Sequence, residues 1–227
     1  MRDPIPTPRS RVKRLPERGR YDFETIAAIL DAGFLCHIGY VIKGQPYVTP
    51  TAYWRKGQHV YWHGSSASRM LQTLEKGVDV CLTVAHVDGL VLARSAFHHS
   101  INYRSVMLFG SAHKLEDDGA KAEALENFME RMFPGRWAKL RPVTAQELKA
   151  TTVLGMAIAE GSAKIRTGPP KDEAEDYAWP VWAGILPVHA AAGPPVPDEG
   201  LPETIERPAY LTRLTHLGLR DSKGWGS

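Results

Sequence analysis

The sequence predicts a mainly β protein with peripheral helices, an α+β fold built on a six-stranded antiparallel split β-barrel. Three observations predict it. Short segments with period-two alternation recur along the chain, as where Val106 and Leu108 alternate with Met107 and Phe109. Turn residues separate them, at Lys43-Gly44-Gln45, Arg55-Lys56-Gly57-Gln58 and Asp88-Gly89. No G-x-G-x-x-G follows a strand, so a Rossmann dinucleotide site is not expected. Closing an antiparallel sheet on itself removes exposed edges, which favours a closed or partly closed barrel.

The elements follow in order. Residues 1–20 are rich in Pro and Arg and read as an extended, solvated arm. Asp22 is an N-cap for a helix with an Ile26, Ile29, Leu30 stripe that Gly33 ends. Residues 34–42 read as a strand, then 46–54 and 59–63 as a hairpin, and 67–75 as a helix. Residues 79–87 and 90–96 read as a hairpin turned by Asp88-Gly89, and 103–114 as a further strand. Over 119–133 the period changes to about 3.6, a helix broken by Pro134-Gly135. Thr144 and Glu147 make a capping box. Residues 153–166 and 181–188 return to strand. The barrel domain is thus 21–189. Residues 190–227 form a Pro-rich tail, with a short amphipathic helix over 209–219.

Composition narrows function by exclusion. The chain has 227 residues and a net charge of only +3, so charge gives no nucleic-acid surface. It carries no long apolar run of about 18 residues and no apolar leader segment, which predicts a cytoplasmic protein with no membrane partner. Cys36 and Cys81 sit in apolar runs without metal spacing and read as free thiols. His98 and His99 are adjacent on extended chain, so they point opposite ways and make no metal pair.

The most informative block is Pro46 to Met70. A strand carrying Val48, Thr49, Pro50 and Thr51 leads through Tyr53 to a turn. A second strand then ends at His63 and Gly64. Ser65, Ser66, Ser68 and Arg69 follow at a helix start, where unpaired N–H groups and a guanidinium make a seat for phosphate. Pro50 lacks an N–H, so it marks an edge or a place where a ligand replaces a neighbouring strand.

This block resembles the FMN-binding split-barrel family that includes pyridoxamine 5'-phosphate oxidase. A second block, Ser95-Ala96-Phe97-His98-His99-Ser100-Ile101-Asn102-Tyr103-Arg104-Ser105-Val106, is similar to the flavin-nucleotide-binding branch related to nitroimidazole-resistance (Nim) reductases. The resemblance implies a homodimer with two FMN sites at the interface. It implies FMN along Val48, Thr49, Pro50, Thr51 and Tyr53, with Gly64, Ser65, Ser68 and Arg69 around its phosphate and Arg104 and Ser105 nearby. It implies a catalytic role for His63; the other reading is a histidine that satisfies the loop backbone. Tyr177, Trp179 and Trp182 either cover a flavin ring or belong to core or interface. The oxidase's substrate-phosphate lysine is replaced by Tyr53, and its C-terminal Arg-x-His signature is missing, so vitamin B6 oxidation is not expected.

The resulting expectation is an FMN-dependent oxidoreductase that passes electrons from a reduced donor to a small acceptor such as a nitro compound or quinone. Two rivals stand beside it: a non-catalytic flavin-binding or storage protein, and a haem-binding split barrel that uses a histidine as iron ligand.

Overall fold

The structure is a computed structural model and describes residues 2–212. After the short strand β1 (Gly19–Arg20), helix α1 (Phe23–Asp31) begins where the Asp22 carboxylate accepts the Thr25 N–H at 2.8 Å. Its apolar stripe, including Ile26, Ile29 and Leu30, is buried. Three strands follow: β2 (Leu35–Ile42), β3 (Gln45–Lys56) and β4 (His59–Ser65). Lys43 and Gly44, between β2 and β3, have φ of 48° and 79°. A two-residue hairpin of the kind that matches strand twist needs both central residues in that region.

Helix α2 (Arg69–Leu74) leads to β5 (Asp79–Leu92), β6 (Ser100–Ser111) and β7 (His113–Lys114). Helix α3 (Asp118–Met132) and helix α4 (Ala145–Ala150), the latter opened by the Thr144–Glu147 capping box, precede β8 (Thr151–Ala157), β9 (Glu160–Arg166) and β10 (Gly184–Pro187). The strands run in the order β1-β9-β6-β5-β2-β3-β4-β8-β7, with β10 added to β5. Every pairing is antiparallel. The sheet curls around one core, which holds Ile38, Tyr53, Trp62, Leu82, Leu108 and Leu154 together with α1. A smaller cluster of Trp54, Ala124 and Val153 lies on the other side of β3 and β8, beneath α3.

Four expectations change. The arm is exposed along most of its length, as expected, but it is docked on the sheet and not free. The Ile5 N–H donates to the Ala159 carbonyl at 2.9 Å, Arg9 pairs with Glu160 at 2.7 Å, and the Asp3 carboxylate accepts the Phe23 N–H at 2.8 Å. Asp88-Gly89 is not a hairpin turn, because β5 runs straight through it. The register slips there, between Val87 and Gly89, as in a β-bulge. A Cβ on Gly89 would lie 3.0 Å from Ile185 Cγ2 and 3.3 Å from the Leu186 carbonyl oxygen, so this glycine serves close approach of β10. Residues 153–166 are two strands, because β8 pairs with β4 whereas β9 pairs with β6. The last strand is shorter than expected, only Gly184–Pro187. Of the expected 209–219 helix, Ala209–Thr212 is a turn of 3-10 helix, and the rest lies outside the described residues.

Gly161 marks the tightest strand contact. A Cβ there would fall 2.6 Å from the Met107 carbonyl oxygen and 2.7 Å from Leu108 Cδ2, and backbone cannot move aside cheaply. Gly161→Ala should therefore lower stability by about 1–3 kcal/mol in urea unfolding. Gly193→Ala, with nothing within 4 Å, is the control and should leave the midpoint unchanged.

Candidate cofactor site

The site grows from one feature of β3. Its residues from Gln45 to Ala52 pair with β2, and from Tyr53 onward it pairs with β4 on the opposite edge. The β4-side edge of 45–52 therefore has no strand partner among the described residues. The Tyr53 N–H donates to the Phe34 carbonyl at 3.0 Å. Antiparallel alternation then aims the backbone groups of Tyr47, Thr49 and Thr51 at β2, and those of Pro46, Val48 and Pro50 at the open edge. Two of those three residues have no N–H to offer. The edge presents carbonyl oxygens and the Val48 N–H, a poor template for another strand but a good one for a flat polar ligand.

Helix α2 begins beside that edge. The Arg69 guanidinium lies 4.9 Å from the Tyr47 ring centroid, and no carboxylate among the described residues pairs with it. Ser68 is the N-cap, yet its side chain makes no capping hydrogen bond. The Ser65 hydroxyl accepts the Ala67 N–H at 3.2 Å. At Gly64 a Cβ would sit 3.1 Å from Leu71 Cδ1, so the glycine lets α2 fold back closely. An exposed, uncompensated guanidinium with spare hydroxyls can hold an anion such as phosphate. Tyr47 belongs to this group and the sequence reading missed it; its period-two spacing with Thr49 and Thr51 was the available signal.

The model of the family described as pyridoxamine 5'-phosphate oxidase matches residues 22–165. The chain belongs to that family. The matched span holds the open edge, α2 and the whole curled sheet apart from β1, the last residue of β9, and β10. The chain is 48% identical to a solved structure of the flavocytochrome Anf3 from Azotobacter vinelandii, with 94% of this chain and 99% of that one covered and a TM-score of 0.89. It is 33% identical to the FAD and haem binding protein from Mycobacterium smegmatis, with coverage of 90% and 100% and a TM-score of 0.85. A 5-nitroimidazole antibiotic resistance protein from Bacteroides thetaiotaomicron, 21% identical over 65% of this chain and 86% of its own, has a TM-score of 0.53 and shares the fold. No curated protein matches the chain.

Within this family member, the expected site residues separate into three groups. Val48, Thr49, Pro50 and Thr51 lie on β3 beside the open edge, Gly64 and Ser65 end β4, and Ser68 and Arg69 open α2. The Tyr53 side chain turns into the core instead: it is fully buried, its hydroxyl donates to the Leu30 carbonyl, and burial raises its pKa. Arg104 and Ser105 stand apart from that edge within one chain. They stand on β6, three strand spacings from β3, or about 14 Å. Arg104 is held by both Asp88 oxygens at 2.9 and 2.7 Å, and the Ser105 hydroxyl donates to the Lys164 carbonyl at 3.3 Å.

His63 occupies different surroundings from those expected. Its ring sits beneath α3, 5.0 Å from the Phe128 ring and 5.8 Å from Trp54. Its Nδ1 is buried without a partner, and burial lowers its pKa. The aromatic residues Tyr177, Trp179 and Trp182 are exposed, so none belongs to the core.

Two predictions follow from this geometry. Arg69→Ala should weaken flavin binding tenfold to a hundredfold, about 1.5–3 kcal/mol, when apo-protein is titrated with flavin. For His63, a folded pKa below the ordinary 6.5 means that the unfolded chain binds the proton more readily. Its contribution to stability is present above 6.5 and lost as pH falls through the folded value. His86, likewise depressed by burial, adds to the same slope. Urea midpoints measured below pH 6.5 should thus fall less steeply in His63→Phe than in the parent chain.

Proposed function

We propose that this chain is a flavin- and haem-binding redox protein, with FAD rather than FMN as its flavin. The reading is carried by the open edge of β3 with Arg69 at its end, in a chain 48% identical to a flavocytochrome over nearly the full length of both. FAD is favoured because the 33% identical relative is named for FAD and haem. Bound together, flavin and haem supply a route from two-electron to one-electron chemistry.

The protein's share of the work is placement. The Pro46–Pro50 edge offers its carbonyls and the Val48 N–H to the flavin ring, and Arg69 and Ser68 take a phosphate group. Electrons enter from a reduced donor and leave to a small acceptor. The buried Tyr53 in place of a substrate-binding lysine speaks against vitamin B6 phosphate as that reduced donor.

The second subunit completes the assembly. The outer face of β2, β3, β5 and β6 exposes Leu35, Val41, Val48, Val87 and Met107. An apolar sheet face of this kind is covered in a stable protein, and a second copy of the chain is the proposed cover.

Purified protein should show flavin absorbance together with a Soret band, and light scattering should give about twice the 25.2 kDa chain mass. Released flavin should run as FAD in chromatography. Flavin without any uptake of added haemin would reduce the reading to a flavoprotein, and a monomer that retains both groups would remove the dimer.

A further inference from the structure

We infer that His99 Nε2 is the protein ligand to haem iron, with the haem lying on the exposed apolar row of β5, β6 and β10. The inference rests on the haem reading above and adds its place in the chain.

The first observation concerns nitrogen chemistry. A histidine that binds metal through Nε2 carries its proton on Nδ1, and that N–H is ordinarily held by a carbonyl or carboxylate. His99 Nδ1 lies 2.9 Å from the Ser95 carbonyl oxygen, which can only accept, so the proton is on Nδ1. The Nε2 lone pair is then free, and it has no partner among the described residues.

The other described histidines compare poorly. His86 donates from Nε2 to the Ile29 carbonyl at 3.0 Å, so that nitrogen is spent. His98 Nε2 lies 3.6 Å from Glu173 Oε1. His63 has the opposite arrangement: Nδ1 is buried and unpartnered, and putting a proton there for metal binding would bury an unsatisfied donor. His37, His59, His113 and His189 have neither ring nitrogen held by another described residue.

The second observation is the surface beside His99. Register pairs Leu90 with both Ile101 and Leu186, and cross-strand partners share a face. These three side chains are all exposed, Leu186 at 55%. Continuing the β5–β6 register by one residue sets His99 opposite Leu92, whose partner on the other side is Gly184. A Cβ on Gly184 would lie 2.8 Å from the Trp182 ring, so that indole covers the same face, itself 66% exposed. One side of the sheet thus holds an imidazole with a free nitrogen, a row of aliphatic side chains and an indole. A flat, apolar macrocycle with a central metal has this complement of needs.

The segment is also held in place. The Asp172 carboxylate accepts the Arg94 N–H at 2.9 Å and the Arg94 guanidinium at 3.0 Å, and that guanidinium lies 4.7 Å from the Tyr177 ring. These contacts tie the chain before His99 to the segment that carries Trp182.

The test uses the full chain, titrated with haemin and followed by Soret absorbance and electron paramagnetic resonance, with flavin content measured on the same samples. His99→Ala should keep its flavin and its melting temperature, lose the parent Soret position and bind haemin at least tenfold more weakly. Added imidazole should restore the parent spectrum. Leu186→Glu, which leaves every histidine intact, should also weaken haemin binding. His63→Ala should retain the parent haem spectrum. If the parent chain takes up no haemin, the haem reading itself fails. If the parent binds haemin and His99→Ala matches it in spectrum and affinity, the ligand assignment fails and the haem reading stands. A parent-like haem affinity in Leu186→Glu overturns the placement on this row.

Discussion

The structure depends on a handover in the hydrogen-bond ladder of β3. A strand can be paired on two edges, but β3 uses one edge as far as Ala52 and the other from Tyr53 onward. That switch lets a single sheet curl into two halves without closing, and it leaves backbone polar groups without strand partners. Pro46, Val48 and Pro50 are exposed, so water or a ligand can take up their backbone groups. Prolines at 46 and 50 remove two of the donors outright, and a bound polar ligand is suited to the rest. The same break that shapes the barrel therefore opens the candidate site.

Charge and aromatic packing hold the two halves in register around that break. Asp31, at the end of α1, accepts hydrogen bonds from Arg55 of β3 and from Arg131 of α3, the latter at 2.9 Å. Arg131 also reaches the Asp31 carbonyl at 2.8 Å, so one guanidinium satisfies the helix end and neutralises its acid. On the far face, Trp54 stacks near Tyr61 and Phe128 with His63 among them, which fixes α3 over β3 and β4. The Tyr61 ring lies against Gly155, where a Cβ would come within 2.8 Å. The docked N-terminal arm adds a third brace through Arg9, placed 5.1 Å from the Phe109 ring and paired with Glu160.

Much of this was legible locally. Asp22, the Thr144–Glu147 capping box and the Lys43-Gly44 turn act within a few residues of themselves, and each stands where the sequence placed it. Asp88-Gly89 was misread because the same dipeptide serves a hairpin turn or a bulge. Here the approach of β10, about 95 residues later, decides between them. The boundary between β8 and β9 was hidden for a related reason: both halves alternate alike, and only their different partners separate them. At the site, Arg69 and Ser68 were visible because a loop before a helix has a fixed chemistry. Tyr53 was not, since alternation puts it on the face of Thr49 and Thr51 but cannot say that this face becomes core past the handover.

By itself the sequence determined where most strands lie, the Asp22 and Thr144 caps, the prolines of β3 and the cation at the start of α2, all set by backbone geometry within a single element. The tertiary structure alone decided which histidine keeps a free nitrogen. The Ile29 carbonyl, the Glu173 carboxylate and the Phe128 ring reach these side chains only after distant segments meet, whereas the Ser95 carbonyl reaches His99 from four residues away. Hydrogen bonding and burial of an imidazole are set by those neighbours in space, and a chain read residue by residue does not contain them.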